Sequence, residues 1–182
     1  MAEKKDFSDF MELAERRYSV RKFEDRPVER TVLEQIVRAG YVAPTACNLQ
    51  PQRILVIDGA EALMKLRRCT KCHFNAPAAM LVCYDKTVCW KREYDGKTSG
   101  DVDASIVTTH MLLEAESLGV GATWVMYFIP EAVRVEFDMP ESYEPTALLV
   151  LGYPAENAKP GPLHAAFQPL SNLVFYNEFP KK

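Results

Sequence analysis

This chain lacks any apolar run approaching the length of a membrane span. It also lacks a surplus of positive charge: 22 Lys and Arg against 25 Asp and Glu leave a net charge of −3. Without that surplus little is available to neutralise a phosphate backbone, which argues against a general nucleic-acid binder. The opening residues, Met-Ala-Glu-Lys-Lys-Asp, hold no apolar signal core, and a cytoplasmic protein is expected. Internal repeats and low-complexity tracts are absent as well. What remains is an ordinary globular composition, 48% apolar and 26% charged, in 182 residues. That length supports one substantial core with no need for a second domain, so residues 1–182 are read as one domain.

Cysteine is present five times, at Cys47, Cys69, Cys72, Cys83 and Cys89. An odd number in a chain without an export signal reads as reduced thiols. Cys69-Thr70-Lys71-Cys72-His73 formally matches a c-type haem attachment pattern, but that chemistry belongs to exported chains. The pair also follows an apparent helix, Ala60 to Arg68, whereas redox CxxC pairs usually open one. Two incidental thiols are expected; a thiol or haem redox protein is the rival from another class.

The most informative stretch lies near the start: Arg16-Arg17-Tyr18-Ser19-Val20-Arg21-Lys22-Phe23. Upstream, Phe7, Phe10, Met11, Leu13 and Ala14 fall at helical spacing, with Ser8 available as the N-cap. If the octet itself is extended, Arg17, Ser19 and Arg21 project to one face while Val20 and Phe23 act as apolar anchors. Two guanidinium groups flanking a hydroxyl suit a dianion such as phosphate. A solvated basic helix end accounts for the same residues.

Glu24 to Pro27 reads as a turn, and Thr31 to Glu34 as a capping box. Leu33, Ile36, Val37 and Tyr41 then share a helical face, and Pro44 stops that helix. In the following Ala43-Pro44-Thr45-Ala46-Cys47-Asn48-Leu49-Gln50-Pro51-Gln52-Arg53, two carboxamides present mixed donors and acceptors. That mixture suits the edge of a flat heterocycle, with Pro51 stiffening the loop. A plain polar turn before the strand Ile54–Ile57 is the other reading. Met80–Tyr84 reads as a buried strand. Asp101 is the expected cap of a helix carrying Val102, Ile106, Leu112, Leu113 and Leu118 on a buried element, stopped by Gly119 and Gly121. Thr123–Met126 is β-prone, Pro130 sits at a helix N1 before Val133 and Phe137, and Thr146–Leu151 reads as a strand covered on both faces. The segment from Lys86 to Gly100, with Trp90 and Tyr94, has no periodicity and is a candidate lid or substrate contact.

RxSxR at Arg17–Arg21, followed by PTxxNxQP at Pro44–Pro51, resembles the FMN-dependent nitroreductase family. Asn75-Ala76-Pro77-Ala78, Asp103-Ala104-Ser105-Ile106, Leu118-Gly119-Val120-Gly121-Ala122-Thr123-Trp124 and Leu149-Val150-Leu151-Gly152-Tyr153-Pro154 fall in the family's order, so the likeness spans roughly Phe7 to Phe179. It implies an α+β fold: a mostly antiparallel central sheet flanked by helices, in an intertwined homodimer with FMN at the interface. It also implies ping-pong hydride transfer from NADH or NADPH through flavin N5 to nitroaromatic, quinone or related acceptors, with no side-chain acid or base. By the same resemblance Arg17 and Ser19 hold the phosphate end of FMN, Tyr18 is a further cofactor-binding residue, and Arg21 meets the phosphate or the N1–O2 edge. Asn48 and Gln50 meet the ring or ribityl chain, Pro44 and Thr45 line the cofactor from the opposite subunit, and Trp124 and Val125 lie along it. A C-terminal arm at about 160–182, centred on Leu173-Val174-Phe175-Tyr176, is expected to embrace the partner.

Three departures stand out. Gln52 occupies a position where the family often has Trp. Val125-Met126-Tyr127-Phe128 lacks the Gly that many members use to bring a backbone N–H to the flavin. Leu163 to Pro169 lacks the usual late Lys/Arg pair, leaving Lys159 or His164 to reach the phosphate. These departures motivate an alternative function, a low-turnover flavin-binding protein with a storage or sensory role on the same fold. His110 is expected in the core or at an interface.

Overall fold

The computed structural model describes residues 10–180, so Phe7 and the expected cap Ser8 lie outside the described residues. Among the described residues five α-helices surround a four-stranded antiparallel sheet. The helices are α1 (Phe10–Arg16), α2 (Arg30–Tyr41), α3 (Ala60–Cys69), α4 (Gly100–Ser117) and α5 (Pro130–Glu136). The strands are β1 (Gln52–Ile57), β2 (Ala78–Asp85), β3 (Gly121–Val125) and β4 (Tyr143–Gly152), in spatial order β1-β2-β4-β3. This is the expected α+β architecture.

The two central strands explain why their sequences are continuously apolar. Successive side chains alternate between faces. Met80 and Val82 of β2 join Leu149 and Leu151 of β4 against α2 and α4. Leu81 and Cys83 join Leu148 and Val150 against α3 and α5 on the other side. With both faces covered, a polar side chain in either strand needs a bonding partner, as Thr146 of β4 has in Asp101.

Local expectations hold for element type more than for ends. The helix at 30–41 begins at Arg30, with Glu29 as its N-cap, so the Thr31–Glu34 capping box does not form. The Glu29 carboxylate is engaged by Arg26 and by the Tyr153 phenol, which ties the start of α2 to the end of β4. Leu33 and Ile36 are buried as expected, but Tyr41 is exposed, because the helix turns it away from α4. At α4 the N-cap is Ser99, not Asp101; Asp101 instead accepts the Thr146 hydroxyl at 3.0 Å. The buried stripe of α4 runs through Ala104, Val107, Met111 and Ala115, and Val102 is exposed. Gly119, with φ of +73°, does end the helix region. Gly121 is instead the first residue of β3, where a Cβ would stand 2.7 Å from Val20 Cγ2. Pro130 opens α5 as expected, with Val133 fully buried. The stretch after β2 is a tied turn: Lys91 bridges Thr98, Arg92 holds Asp95 with two bonds of 2.8 and 2.5 Å, and Tyr94 stands at 97% exposure on the tip.

Candidate functional site

The basic octet leaves α1 and runs alongside β3. Val20 N–H donates to the Ala122 carbonyl at 3.0 Å, the Thr123 hydroxyl donates to the Val20 carbonyl, and Ser19 bridges Ala122. Val20 is thereby buried at 1% exposure, and its neighbours Ser19 and Arg21 are turned outward. Arg17, Tyr18, Ser19 and Arg21 then line one cleft of about 410 Å³ with Gly161 to His164. Among the described residues no carboxylate lines it. Among the described residues neither Arg17 nor Arg21 is ion-paired; Arg21 only reaches the Ser19 carbonyl at 3.3 Å. His164 closes the far wall, its ring edge-on to Tyr18 at 6.2 Å, while Lys159 is not part of the lining. Burial, and after it the charge of Glu116, pushes the Tyr18 phenol above its ordinary value. The donor set is that of an anion receptor, with charge-assisted donors on one wall and an imidazole on the other. It fits a phosphate group.

A second cleft of about 360 Å³ opens beyond the other end of β3. Its walls are Arg67 to Lys71, from the last turn of α3 into the residues after it, and Tyr127 to Ile129 after β3. The Thr70 hydroxyl donates to the Tyr127 carbonyl at 2.5 Å, and Ile129 N–H donates to the Cys69 carbonyl at 2.9 Å, which pins these walls together. Cys69 is buried, its thiol bonded to the Lys65 carbonyl at 3.4 Å, and burial pushes it up. A thiol held protonated is a poor nucleophile, and no metal-binding cluster occurs among the described residues. Within the CxxCH stretch it is Thr70 and the Cys69 carbonyl that join the two walls of this cleft. Trp124 is half-buried on β3 and Val125 is buried.

The third predicted group sits elsewhere. Pro44, Thr45, Asn48 and Gln50 share one loop whose 3-10 turn spans Ala46–Asn48. The loop is tied to the start of α4, where Ala46 N–H donates to Asp103 at 2.9 Å. Tyr18, beside Glu116, lies near the end of the same helix. At 1.5 Å per residue, Asp103 and Glu116 stand about 20 Å apart. The chain therefore carries the anion cleft and the carboxamide loop at opposite ends of α4, and the sequence-predicted residues do not converge within it. Asn48 and Gln50 travel with Pro44 and Thr45. The roles of Asp103 and Thr70 carried no sequence signal: each acts through a bond to a residue 57 positions away.

Several known proteins share this architecture. A crystal structure of a nitroreductase family protein from Clostridium difficile 630 superposes with a TM-score of 0.89 at 42% identity, covering 94% of this chain and 99% of that one. An FMN-dependent nitroreductase from C. difficile R20291 matches with a TM-score of 0.74 at 27% identity, covering 93% and 100%. A Methanothermobacter thermautotrophicus protein, named as a candidate NADH dehydrogenase/NAD(P)H nitroreductase, is 33% identical over 158 residues, 82% of this chain and 79% of its own. Residues 14–153 match the sequence profile of the nitroreductase family, and with these relatives on both sequence and fold, the chain belongs to that family.

Proposed function

We propose that this protein is an FMN-dependent NAD(P)H oxidoreductase that works as a homodimer. The observation that carries the reading is the cleft of Arg17, Ser19 and Arg21, two guanidinium groups and a hydroxyl with no carboxylate among the described residues of the lining. FMN, when bound, supplies two-electron chemistry at its ring N5, passing hydride from NADH or NADPH to a nitroaromatic, quinone or related acceptor in alternating half-reactions. Arg17 and Ser19, with Tyr18 beside them, would hold the phosphate, and His164 offers a further donor from the C-terminal segment. Arg21 would add a cation at the phosphate or at the N1–O2 edge, where it would favour the reduced state. Trp124, half-buried on β3, would lie along the cofactor, and Val125, whose side chain is buried, would reach it only through its backbone. Asn48 and Gln50 contribute donors and acceptors to its ring or ribityl chain.

The dimer follows from the separation of the half-sites. A twofold pair with antiparallel α4 helices would bring the Pro44–Gln50 loop of one copy to the anion cleft of the other. The exposed stripe of α4, with Val102, Ile106, Thr109 and His110 around a shallow depression of about 480 Å³, suits that contact. So do Leu163, Phe167, Leu170 and Phe179, all more than 70% exposed on the C-terminal arm. No helix among the described residues is long and apolar enough to cross a membrane.

The test is purified protein titrated with FMN, followed by absorbance, sedimentation and steady-state oxidation of NADH or NADPH with a quinone. Expected are oxidised-flavin bands near roughly 370 and 450 nm, a dimer, and turnover. Refusal of FMN by folded protein, or retention of FMN by a monomer, defeats the reading. Flavin binding without turnover on several acceptors supports the storage or sensory alternative instead.

A further inference from the structure

We propose that Asp103 is a positioning residue that fixes the Pro44–Gln50 loop from the first turn of α4 and couples it to the turn that ends at Ser99. The inference rests on the reading that this loop meets the flavin.

Asp103 is only 2% exposed, and burying a carboxylate is costly unless donors meet it. Two do. Ala46 N–H donates to Oδ1 at 2.9 Å, and the Ser99 hydroxyl donates to Oδ2 at 2.7 Å. Each carboxylate oxygen thus serves a different segment. Ser99 is the last residue of the tied turn after β2, with its N–H donating to the Trp90 carbonyl at 2.9 Å.

The loop requires such a restraint. Cys47, Asn48 and Gln50 have φ of 51°, 53° and 51°, a left-handed region that L-residues avoid. Its internal bonds are short-range: Asn48 N–H to the Thr45 carbonyl at 3.0 Å and Gln50 N–H to Thr45 Oγ1 at 3.1 Å. The other outside tie is an exposed bond of 3.3 Å from Arg53 to the Gln50 carbonyl. The part-buried, charge-assisted bond from Ala46, at 2.9 Å, is the stronger of the two. With the loop held, Asn48 and Gln50 keep their carboxamides in one arrangement before any ligand arrives, which lowers the ordering cost of binding.

The experiment compares wild type, Asp103→Ala and Asp103→Asn. Asn keeps an acceptor oxygen for Ala46, and its amide can donate to Ser99 Oγ. Expected for D103A is amide exchange over residues 45–50 accelerated about tenfold or more, with exchange through β2 and β4 unchanged. FMN affinity should fall by about tenfold, because binding then has to order the loop, and the flavin band should move toward that of free FMN. D103N should return all three readings to near wild type. Wild-type FMN affinity and spectrum in D103A overturn the proposal. So does exchange accelerated equally across β2 and β4, or failure of D103N to restore binding. Should D103A not fold, slow exchange at Ala46 in FMN-free wild type together with normal FMN binding by D103N uphold it, and fast exchange at Ala46 overturns it. Wild type that refuses FMN defeats the proposed function itself, a result separate from these.

Discussion

Replacing Arg17 by Ala tests the anion cleft most directly. Arg17 is half-buried beside Ser19, its guanidinium is not ion-paired among the described residues, and the lining offers no competing carboxylate. A charge-assisted hydrogen bond contributes about 1.5–3 kcal/mol, and about 1.4 kcal/mol is tenfold in affinity, so Arg17→Ala should weaken FMN binding roughly 10- to 140-fold. Ser19→Ala removes a neutral donor, worth about 0.5–1.5 kcal/mol, and should cost roughly two- to twelvefold. The assay is quenching of flavin fluorescence on titration, run in parallel with FMN and with riboflavin, which has the same ring and no phosphate. Both substitutions should leave riboflavin affinity nearly unchanged. The Arg17 effect should also shrink as salt rises from low ionic strength to about 0.15 M, where charges are screened over about 8 Å. Equal losses for riboflavin and FMN, or no loss for FMN, would refute the assignment of phosphate to this cleft.

Other outcomes follow from the same coordinates. Hydrogen bonds from Tyr153, then Arg26, lower the Glu29 carboxyl from 4.5 to about 2. Its stabilisation is therefore complete above pH 4.5 and lost as pH falls toward 2, so Glu29→Gln should flatten the acid limb of a Tm-against-pH curve in that window. Burial, then the bond to Glu29, raises the Tyr153 phenol from 10.0 to about 12. That contribution is complete below pH 10 and lost as pH rises through 12, and Tyr153→Phe should remove the alkaline slope there. Gly121→Ala puts a Cβ 2.7 Å from Val20 and should cost about 1–3 kcal/mol in denaturant unfolding while weakening FMN binding, since Val20 anchors the basic segment. Val102→Glu, on an exposed stripe of α4, should change monomer stability by no more than about 0.5 kcal/mol. It should nevertheless shift sedimentation to the monomer and abolish FMN retention; a dimer with normal FMN content counts against α4 at the interface.

Cys72→Ala, by contrast, should leave flavin binding and turnover intact, since the CxxCH turn works through Thr70 and the Cys69 carbonyl.

The sequence by itself determined the local features. Alternation in an extended octet put Arg17, Ser19 and Arg21 on one face, and continuous apolar runs identified β2 and β4 as strands covered on both sides, because these patterns depend only on neighbours in the chain. Helix starts were less legible. The Thr31–Glu34 box was available, yet Glu29 capped α2 because Tyr153, 124 residues away, holds its carboxylate against the end of β4. Tertiary structure alone decided that Gly121 lies in β3 and leaves room for Val20, 101 positions earlier, and that Asp103 rather than Asp101 reaches the Ala46 loop. It alone separated the two half-sites along α4. Each of those outcomes depends on contacts between segments far apart in the chain, whose register is fixed by the packing of the whole core.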